Sequence, residues 1–546
     1  MNKFISIILS LITTLSWLFV MPLSDIPSYI ETINEENVYQ ITENAGFIKD
    51  TVLVIFKEDA SAFDKLSVIA KADGMYAGKI SDFNMYIIRT KLDGLEDADK
   101  LCKNLTSLDS VLLASICPVK KLEEQYTPDD PFDDENGYWS SDWDDEKPEG
   151  NNWHMEAIDA RGAWGYNCIL SHISLGVIDG GFDTDHEELA DKITFPSKRE
   201  ERRNRPNHHG THVAGIIAAE QDNGVGISGI CPDSTLICTD WSPSDGQLWI
   251  GDLEILNGFK KVAKAGAKVI NFSVGSSGSI AGDSYKYPSI VTSFDALLYS
   301  YAMGNLLSKG YDFVVVQSAG NGNDEGYAVE ADQNGIFSCI TEKNAFLPFR
   351  NIEAKDLIDR IIIVGSAELS DSGYVQAASS NVGNRVDICA PGGDILSCTK
   401  DDTYLRKSGT SMAAPVVTGV AGLVWSANEN LTGAEVKEIV CKNTRDVVPP
   451  SNEKHFDFLG YQTYPMVNAK MAVEAALLMK NGYCNVFVTT GSKEEVTFTD
   501  ENGNEFIFET NYSGLLSCVL KEGNYEVQTE STVKNVTVNE NEDIII

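Results

Sequence analysis

Between residues 150 and 480, apolar runs typical of buried strands alternate with longer stretches of helical character. The runs Ile173–Asp179, Lys268–Val274 and Asp312–Ala319 are apolar along most of their length, which indicates strands that are covered on both faces. Buried strands that alternate with helices are typical of a parallel sheet flanked by helices. We therefore predict one large α/β domain over residues 153–480, with its functional site at the carboxyl ends of the strands.

The chain on either side of this domain has a different pattern. Residues 51–118 read as strand, helix, strand, helix and strand, which predicts a small α+β unit within residues 25–122. Residues 484–546 hold short strand-like runs around two turns, and the Asn502-Gly503 pair is a strong hairpin signal. We predict a small all-β domain there.

An acidic segment connects the α+β unit to the large domain. Residues 123–149 contain 12 acidic residues and a single base, Lys147, and three prolines in the same segment oppose regular structure. The pattern favours an exposed linker over residues 123–152, and an acidic metal-binding cluster is the alternative.

The first 24 residues are typical of a targeting segment. A single base, Lys3, precedes an apolar run from Phe4 to Leu23. This order favours a secretory signal peptide, although the length also fits an uncleaved N-terminal anchor, and a buried core helix is a further alternative. No later run in the sequence is long and apolar enough to span a membrane, so we expect membrane contact only if this segment stays uncleaved.

The charge balance limits the partners of the chain. It has 43 Lys and Arg against 81 Asp and Glu, a formal net charge of −38. Nucleic-acid binding depends on basic residues at the phosphates, so we exclude nucleic acid as a partner. The charge by itself indicates solubility and no particular function.

The 11 cysteines form no C-x-x-C pair, which leaves a zinc knuckle or a thioredoxin-like site without support. Several of them lie inside apolar, strand-like runs. We interpret most of them as buried small hydrophobes, and disulfide pairing stays open.

A carboxylate ends the first of the buried strands. In Val177-Ile178-Asp179-Gly180-Gly181, a glycine pair follows Asp179 and turns the chain away from the sheet. A functional carboxylate is expected at this edge of an open sheet, and an Asp that only forms a turn is an equal alternative.

Three histidines cluster at the start of a predicted helix, in His208-His209-Gly210-Thr211-His212-Val213-Ala214-Gly215. His209 and His212 lie on one helical face, so a metal pair is the alternative to a catalytic base. The zinc-metalloprotease helix spaces its histidines four apart with an adjacent Glu, and that Glu is missing here. The sequence therefore favours a catalytic histidine.

A serine begins a long apolar helix in Ser408-Gly409-Thr410-Ser411-Met412-Ala413-Ala414-Pro415. Ser411 lies where a loop becomes a helix, beside the N–H groups that lack an intrahelical acceptor and at the positive end of the helix dipole. A hydroxyl in that position fits nucleophilic attack on a carbonyl, and an ordinary N-cap serine is the alternative.

A fourth feature completes the set. The buried strand that starts at Val314 ends in Gly320-Asn321, and an Asn amide there can donate to a developing oxyanion, a contact worth roughly 3 kcal/mol. An Asn in a left-handed turn is the alternative. Taken together, Asp179 would orient an imidazole, His209 would take the hydroxyl proton, and Ser411 would attack the carbonyl.

On these motifs the chain resembles the subtilisin-like serine proteases, or subtilases. H-G-T-H-V-A-G and G-T-S-M-A-A-P match the family nearly letter for letter, and the order Asp, His, Ser is also that of the family. The resemblance implies the subtilisin-like fold and a serine endopeptidase that hydrolyses proteins or peptides. It also implies Asp179, His209 and Ser411 as the catalytic triad and Asn321 as the oxyanion asparagine.

Two further stretches resemble functional parts of the family. Asn271-Phe272-Ser273-Val274-Gly275 is similar to the strand that borders the substrate cleft, which implies Ser273, Val274 and Gly275 as substrate-binding residues. Ser276 departs from the usual second glycine. The Asp222–Gly226 segment is similar to a loop that binds calcium in some members but lacks a full ligand set, so a structural calcium ion is an expectation, and the chemistry itself requires no cofactor.

By pattern and position, residues 51–118 resemble the inhibitory propeptide of the family. The resemblance implies a self-processing zymogen whose propeptide, residues 25–122, inhibits the enzyme until it is cut off, and a secreted or cell-surface location. A non-catalytic surface binding scaffold is the alternative function, and the presence of all three triad residues and Asn321 argues against it. A lipase-like hydrolase would need a G-x-S-x-G elbow, which Ser411 does not have.

Overall fold

In the computed structural model, the described residues are 38–42, 45–80, 84–92, 94–121, 153–221, 223, 226–241, 249–274, 288–322, 328, 330–331, 336–370, 373–450, 462–491, 494–511, 513–529, 532–539 and 542–545. The predicted targeting segment (1–24) and the predicted acidic linker (123–152) lie outside them.

The N-terminal unit is an antiparallel sheet with two helices on one face. Alternate residues of its longest strand point to opposite sides: Val52, Val54 and Phe56 pack with the two helices of the unit, whereas Leu53 and Ile55 belong to a core shared with the large domain. The sheet is therefore covered on both faces. Its elements are β1 (Val38–Thr42), β2 (Ala45–Phe56), α1 (Ala62–Lys71), β3 (Met75–Ile80), β4 (Met85–Arg89), α2 (Leu95–Thr106) and β5 (Val111–Lys121).

The large domain contains thirteen strands and ten helices among the described residues. Its strands are β6 (Ser174–Asp179), β7 (Ile193–Thr194), β8 (Thr235–Asp240), β9 (Trp249–Gly251), β10 (Val269–Phe272), β11 (Val314–Ser318), β12 (Ile361–Ser370), β13 (Gly373–Gln376), β14 (Ile388–Pro391), β15 (Ile395–Thr399), β16 (Thr403–Lys407), β17 (Thr444–Val448) and β18 (Tyr464–Val467). Its α-helices are α3 (Trp153–Ala157), α4 (Ala160–Trp164), α5 (Lys198–Arg203), α6 (His208–Ala218), α7 (Asp252–Lys264), α8 (Pro288–Ser308), α9 (Ala354–Ile358), α10 (Thr410–Ala427), α11 (Gly433–Lys442) and α12 (Ala469–Leu478), and a 3-10 helix spans Asn167–Ile169.

Ten of these strands form one sheet in the order β17-β18-β14-β12-β11-β10-β6-β8-β7, and β13 pairs with β12. All of the pairs are parallel except β12–β13 and β17–β18. The predicted fold class, a parallel sheet with helices on both faces between a small α+β unit and a small all-β domain, is confirmed.

The two faces of the sheet belong to two cores. Val314 and Val316 of β11 pack in the core that holds α10, and Val315 between them packs in the core that holds Phe259 of α7 and Tyr299 of α8. Among the described residues, α10 is the one helix long and apolar enough to cross a membrane, and all of that helix is buried inside the protein. Its apolar character therefore reflects burial between the sheet and the neighbouring helices.

The sheet of the N-terminal unit continues into the large domain through β9. β5 pairs antiparallel with β9, with Val119 opposite Gly251, Lys120 opposite Ile250 and Lys121 opposite Trp249. The end of the N-terminal unit is thus fixed by backbone hydrogen bonds as well as by side-chain packing.

The C-terminal domain consists of two small sheets, with strand orders β22-β19-β25 and β21-β20-β23-β24. It contacts the large domain through Tyr166, whose buried hydroxyl donates to Glu474 Oε1 at 2.9 Å and accepts from the Val519 N–H at 2.8 Å. The ring of Phe508 lies edge-on to Tyr166, with 5.0 Å between the centroids. The strands are β19 (Tyr483–Thr489), β20 (Glu495–Asp500), β21 (Glu505–Glu509), β22 (Leu515–Lys521), β23 (Gly523–Gln528), β24 (Val533–Val538) and β25 (Glu542–Ile545).

All 11 cysteines are free thiols. Nine of them are buried, Cys441 is half-buried and Cys168 is exposed. The expectation that most are buried small hydrophobes is confirmed, and burial raises the pKa of thiols such as Cys102 and Cys231 to about 12.

We expect Tyr166→Phe to destabilise the chain by about 1–3 kcal/mol, because the Val519 N–H and the Glu474 carboxyl would each lose a buried hydrogen-bond partner. Denaturant-induced unfolding measures the loss. The matched control is Tyr311→Phe, since the Tyr311 hydroxyl makes no hydrogen bond within the described part of the chain. Equal stability of the two variants would contradict the role of Tyr166.

Candidate active site

Asp179 is the last residue of β6 and is fully buried. Its Oδ1 accepts a hydrogen bond from the Gly180 N–H at 2.6 Å. Gly181 has a φ of 65°, and a Cβ there would collide with the carbonyl of Arg205. Glycine at position 181 is therefore required by the turn that the chain makes at the edge of the sheet.

His209 is the second residue of α6, and its ring reaches Asp179. His209 Nδ1 lies 2.5 Å from Asp179 Oδ1. Asn207 caps the helix, with its Oδ1 accepting from the His209 N–H at 2.8 Å. A Cβ on Gly210 would collide with the carbonyl of Gly181, so glycine at this position allows the helix to approach the Asp179 turn.

The other two histidines of the cluster do not join this contact. His212 is fully buried, and its Nε2 lies 3.0 Å from the carbonyls of both Ile395 and Leu405. Burial holds its pKa well below the ordinary value, and the nearby charge of Lys407 acts in the same direction. His208 also has a lowered pKa, mainly because of partial burial. The ring of His212 is thus held by backbone carbonyls, which disfavours the alternative of a His209–His212 metal pair.

Ser411 is the second residue of α10 and is 5% exposed. Its Oγ donates to the carbonyl of Ser273 at 3.2 Å. His209 Nε2 is buried and has no hydrogen-bond partner among the described residues. The Ser411 hydroxyl is therefore directed to the Ser273 carbonyl and not to His209, and catalytic hydrogen bonds of this kind tighten in many enzymes only in the complex with substrate.

Asn321 follows β11 and contacts the start of α10. Its Oδ1 accepts from the Thr410 N–H at 2.8 Å and from the Thr410 hydroxyl at 2.9 Å. Two donors on one amide atom identify that atom as the oxygen, which leaves the Nδ2 group directed elsewhere as a donor. Asn321 and the Ser411 N–H at the helix start are therefore neighbouring donor sites.

The predicted substrate strand ends beside the same helix. Ser273 and Val274, directly after β10, are 3% and 6% exposed. Val274 packs in the core that holds α7 and α8, and Ser273 contacts the backbone of Ser411. Gly275, the third residue of this prediction, lies outside the described residues.

The sequence interpretation missed the supporting contacts of three residues, Thr410, Asn271 and Thr418. Thr410 holds Asn321. Asn271 lies within β10, and its amide joins Ser273 Oγ at 3.0 Å and Thr418 Oγ1 at 3.0 Å. Asn271 is fully buried in an otherwise apolar strand. A buried polar residue needs a partner, so its amide in the run Val269–Phe272 was the available signal.

Residues 171–461, more than half of the chain, match the sequence model of the Subtilase family. The chain is a member of the subtilase family. Its relatives include the thermophilic serine proteinase of Bacillus sp. (strain AK1), 27% identical over 405 residues that cover 73% of this chain and 83% of the relative. Subtilisin DY of Bacillus licheniformis is 31% identical over 285 residues, 52% of this chain and 85% of the relative.

Among solved structures, the subtilase is similar to fervidolysin from Fervidobacterium pennivorans, described as a keratinolytic enzyme related to subtilisin. The match covers 96% of this chain and 82% of fervidolysin, with a TM-score of 0.54 and 18% sequence identity, and it supports the fold. Family membership makes the protein a subtilisin-like serine endopeptidase with proteins or peptides as its substrates.

A buried carboxyl lies beside the segment that resembles a calcium loop. Glu188 is fully buried. Its Oε1 accepts from the Ile227 N–H at 2.7 Å and from the Tyr404 hydroxyl at 3.4 Å, and its Oε2 accepts from Asn223 Nδ2 at 3.0 Å. Burial raises the pKa of Glu188 to about 7, and these hydrogen bonds oppose the rise.

The structural calcium ion stays a prediction, because Asp222, Gly224 and Val225 lie outside the described residues. In the described part of the subtilase, no group of three or more His, Cys, Asp or Glu side chains is placed to hold a metal ion. Protein donors occupy both oxygens of Glu188. Those contacts already join the chain after β6, the chain after α6 and the β15–β16 hairpin.

We expect the stability of the subtilase to fall as Glu188 ionises. Because its folded-state pKa lies above the ordinary 4.5, the stability from this group is fully present below that value and is lost as the pH rises through about 7. Glu188→Gln keeps an acceptor that cannot ionise, so the decrease across this window should shrink by at most ~3 kcal/mol. Unfolding free energies measured against pH, with a chelator present throughout, check this.

Glu435→Gln is the control, because the pKa of Glu435 is shifted in the opposite direction to that of Glu188. Hydrogen bonds from the Thr432 backbone and side chain lower the pKa of Glu435, so its contribution is present above the ordinary value and is lost as the pH falls. Glu435→Gln should leave the slope of unfolding free energy against pH unchanged near neutral pH. An identical slope in Glu188→Gln and the unsubstituted chain would contradict the assignment to Glu188.

Proposed function

We propose that Asp179, His209 and Ser411 are the catalytic triad of this subtilase, which is made as a secreted, self-processing zymogen. The observation that carries the triad is the 2.5 Å contact between His209 Nδ1 and Asp179 Oδ1. With Nδ1 bonded to the carboxylate, Nε2 is the nitrogen that takes a proton, and no described group occupies it.

The reaction follows from these positions. Ser411 Oγ leaves the Ser273 carbonyl, passes its proton to His209 Nε2 and forms a bond to the carbonyl carbon of the substrate peptide. The electron pair of the C=O bond moves to the oxygen and returns when the C–N bond breaks, while His209 protonates the departing amine. Water then attacks the acyl-enzyme, gives a proton to His209, and releases the acid as Ser411 Oγ recovers that proton.

Charge develops on the substrate oxygen during both attacks. We place Asn321 Nδ2 and the Ser411 N–H as the donors to it, because Thr410 fixes the oxygen end of the Asn321 amide and Ser411 lies at the N-terminus of α10. Donors fixed before the reaction need no reorganisation when the charge forms. The role of Asp179 is to hold the imidazole and stabilise its charged form.

The zymogen proposal rests on the N-terminal unit. Its sheet packs one apolar face into the core that holds α7 and α8, and β5 pairs with β9. We propose that residues 25–122 act as an intramolecular inhibitor and that the enzyme cuts within the linker. Secretion is supported by relatives such as the halolysin-like extracellular serine protease Nep of Natrialba magadii, and membrane association requires an uncleaved N-terminal segment.

Ser411→Ala should abolish peptide hydrolysis and processing, since loss of the nucleophile of a subtilisin-type triad costs roughly 10⁶-fold in rate. Incubation of the unsubstituted chain with a serine-directed phosphonofluoridate should place the label on Ser411, as mass spectrometry of its peptides will report. Cleavage of peptides by the Ala variant at the ordinary rate would refute the triad. Continued processing of the Ala variant alone would indicate an external protease.

Asn321→Asp tests the oxyanion donor with little change in shape. The Asp carboxylate still accepts from Thr410, but it replaces the donor Nδ2 with an acceptor. We expect kcat to fall by roughly 10²–10³-fold while KM changes little. Thr410→Val, which removes the hydroxyl contacts to Asn321 and to the Gly320 N–H but keeps the backbone N–H that holds Asn321, is the companion variant and should cause a smaller loss. An unchanged kcat in Asn321→Asp would exclude this residue as the donor.

A further inference from the structure

The helix that carries the nucleophile contains a proline one turn after it. Pro415 lies inside α10, four residues after Ser411. In a regular helix the N–H of residue 415 would donate to the carbonyl of residue 411, but proline has no N–H. The carbonyl of Ser411 therefore lacks its normal helical donor.

Ser273, directly after the neighbouring strand β10, supplies a donor at this point. Ser273 Oγ donates to the Ser411 carbonyl at 2.8 Å. In the opposite direction, Ser411 Oγ donates to the Ser273 carbonyl at 3.2 Å. The two residues thus exchange side-chain to backbone hydrogen bonds, and both are at most 5% exposed.

The proton directions along this contact follow from the Ser411 carbonyl, which can only accept a hydrogen bond. The Ser273 hydroxyl therefore donates to that carbonyl and accepts from Asn271 Nδ2 at 3.0 Å. The Thr418 hydroxyl lies 3.0 Å from Asn271 Oδ1 and 3.1 Å from the Ala414 carbonyl, both of which accept. Asn271 and Thr418 are fully buried, so water does not compete for these groups.

We infer that Ser273 is a positioning residue, whose hydroxyl takes the place of the helical donor that Pro415 removes and so fixes the nucleophile against β10. This inference rests on the proposed role of Ser411. A helix start held only by its own backbone bonds is prone to fraying. Here the first turn of α10 is instead hydrogen-bonded to the end of a central strand, through Ser411, the residue that carries the attacking hydroxyl.

The alternative is that Ser273 only fills space or contacts the substrate, and a double-mutant cycle distinguishes the two. Ser273→Ala removes the donor, and Pro415→Ala restores an N–H that can reach the Ser411 carbonyl. The readout is the rate constant for labelling Ser411 with the phosphonofluoridate on the full-length chain, corrected for the folded fraction. A small reagent of this kind reports on the nucleophile and does not depend on peptide subsites.

We expect Ser273→Ala to slow labelling about tenfold, the equivalent of one lost hydrogen bond. In the Pro415→Ala background, Ser273→Ala should slow labelling by less than about threefold, because the restored N–H of residue 415 then donates to the Ser411 carbonyl. Ser234→Ala is the matched control: its buried hydroxyl donates to the Cys231 carbonyl at 2.6 Å, before β8, at the opposite edge of the sheet. Labelling of this variant should be unchanged.

Equal labelling of Ser273→Ala and the unsubstituted chain would overturn the inference, and so would a tenfold loss that is the same in both backgrounds. If Ser273→Ala does not fold, Ser273→Cys, with its weaker S–H donor, replaces it in the cycle and should show the same dependence on Pro415. Absence of label on Ser411 in the unsubstituted chain both before and after removal of residues 25–122 would overturn the proposed triad and this inference with it, whereas label that appears only after the removal is the behaviour expected of the proposed zymogen.

Discussion

Three parallel strands, β6, β10 and β11, end at one edge of the sheet, and the polar groups of the site depend on that common edge. Val269 at the start of β10 lies opposite Leu175 of β6 and Val314 of β11, so the residues after each strand emerge together. A shift of one residue in either pairing would turn the apolar side chains of β10 to the wrong face. The two apolar cores therefore fix the register, and the register places Asp179, Ser273 and Asn321.

Two helices complete the site, and each is held to this edge by a different kind of contact. α6 reaches Asp179 because glycines at 181 and 210 allow its backbone to approach the turn. α10 is held by side chains from the sheet, with Asn321 on Thr410 and Ser273 on Ser411. No disulfide links any of these parts. Their alignment rests on sterics and on hydrogen bonds between side chains and backbone.

The sequence predicts the parts of this structure that local patterns determine. The strand predicted over Ile173–Asp179 is Ser174–Asp179, and the long apolar helix predicted to begin at Ser411 is Thr410–Ala427, because apolar runs define both. Contacts between segments that are distant in the chain could not be predicted, because they produce no local pattern in the sequence. The pairing of β5 with the three-residue β9 joins segments about 130 residues apart, and the bond of Tyr166 to Val519 likewise joins residues far apart in the chain. His209 is identified from its sequence motif, whereas the approach of α6 that brings its ring to Asp179 depends on contacts at Gly181 and Gly210.

The two flanking units differ in how they are joined to the catalytic domain, and the difference has a physical consequence. The C-terminal sheets share a core with α10 and α12, and Tyr166, Phe508 and Lys470 bond or pack across the boundary. A module joined by a hinge would lack such buried contacts, so this domain keeps a fixed orientation relative to the active site. The N-terminal unit instead has its own core with α1 and α2 and contacts the large domain through one sheet face and β9. Cleavage of the connecting chain would leave that face in place, because its apolar contacts do not depend on the covalent link.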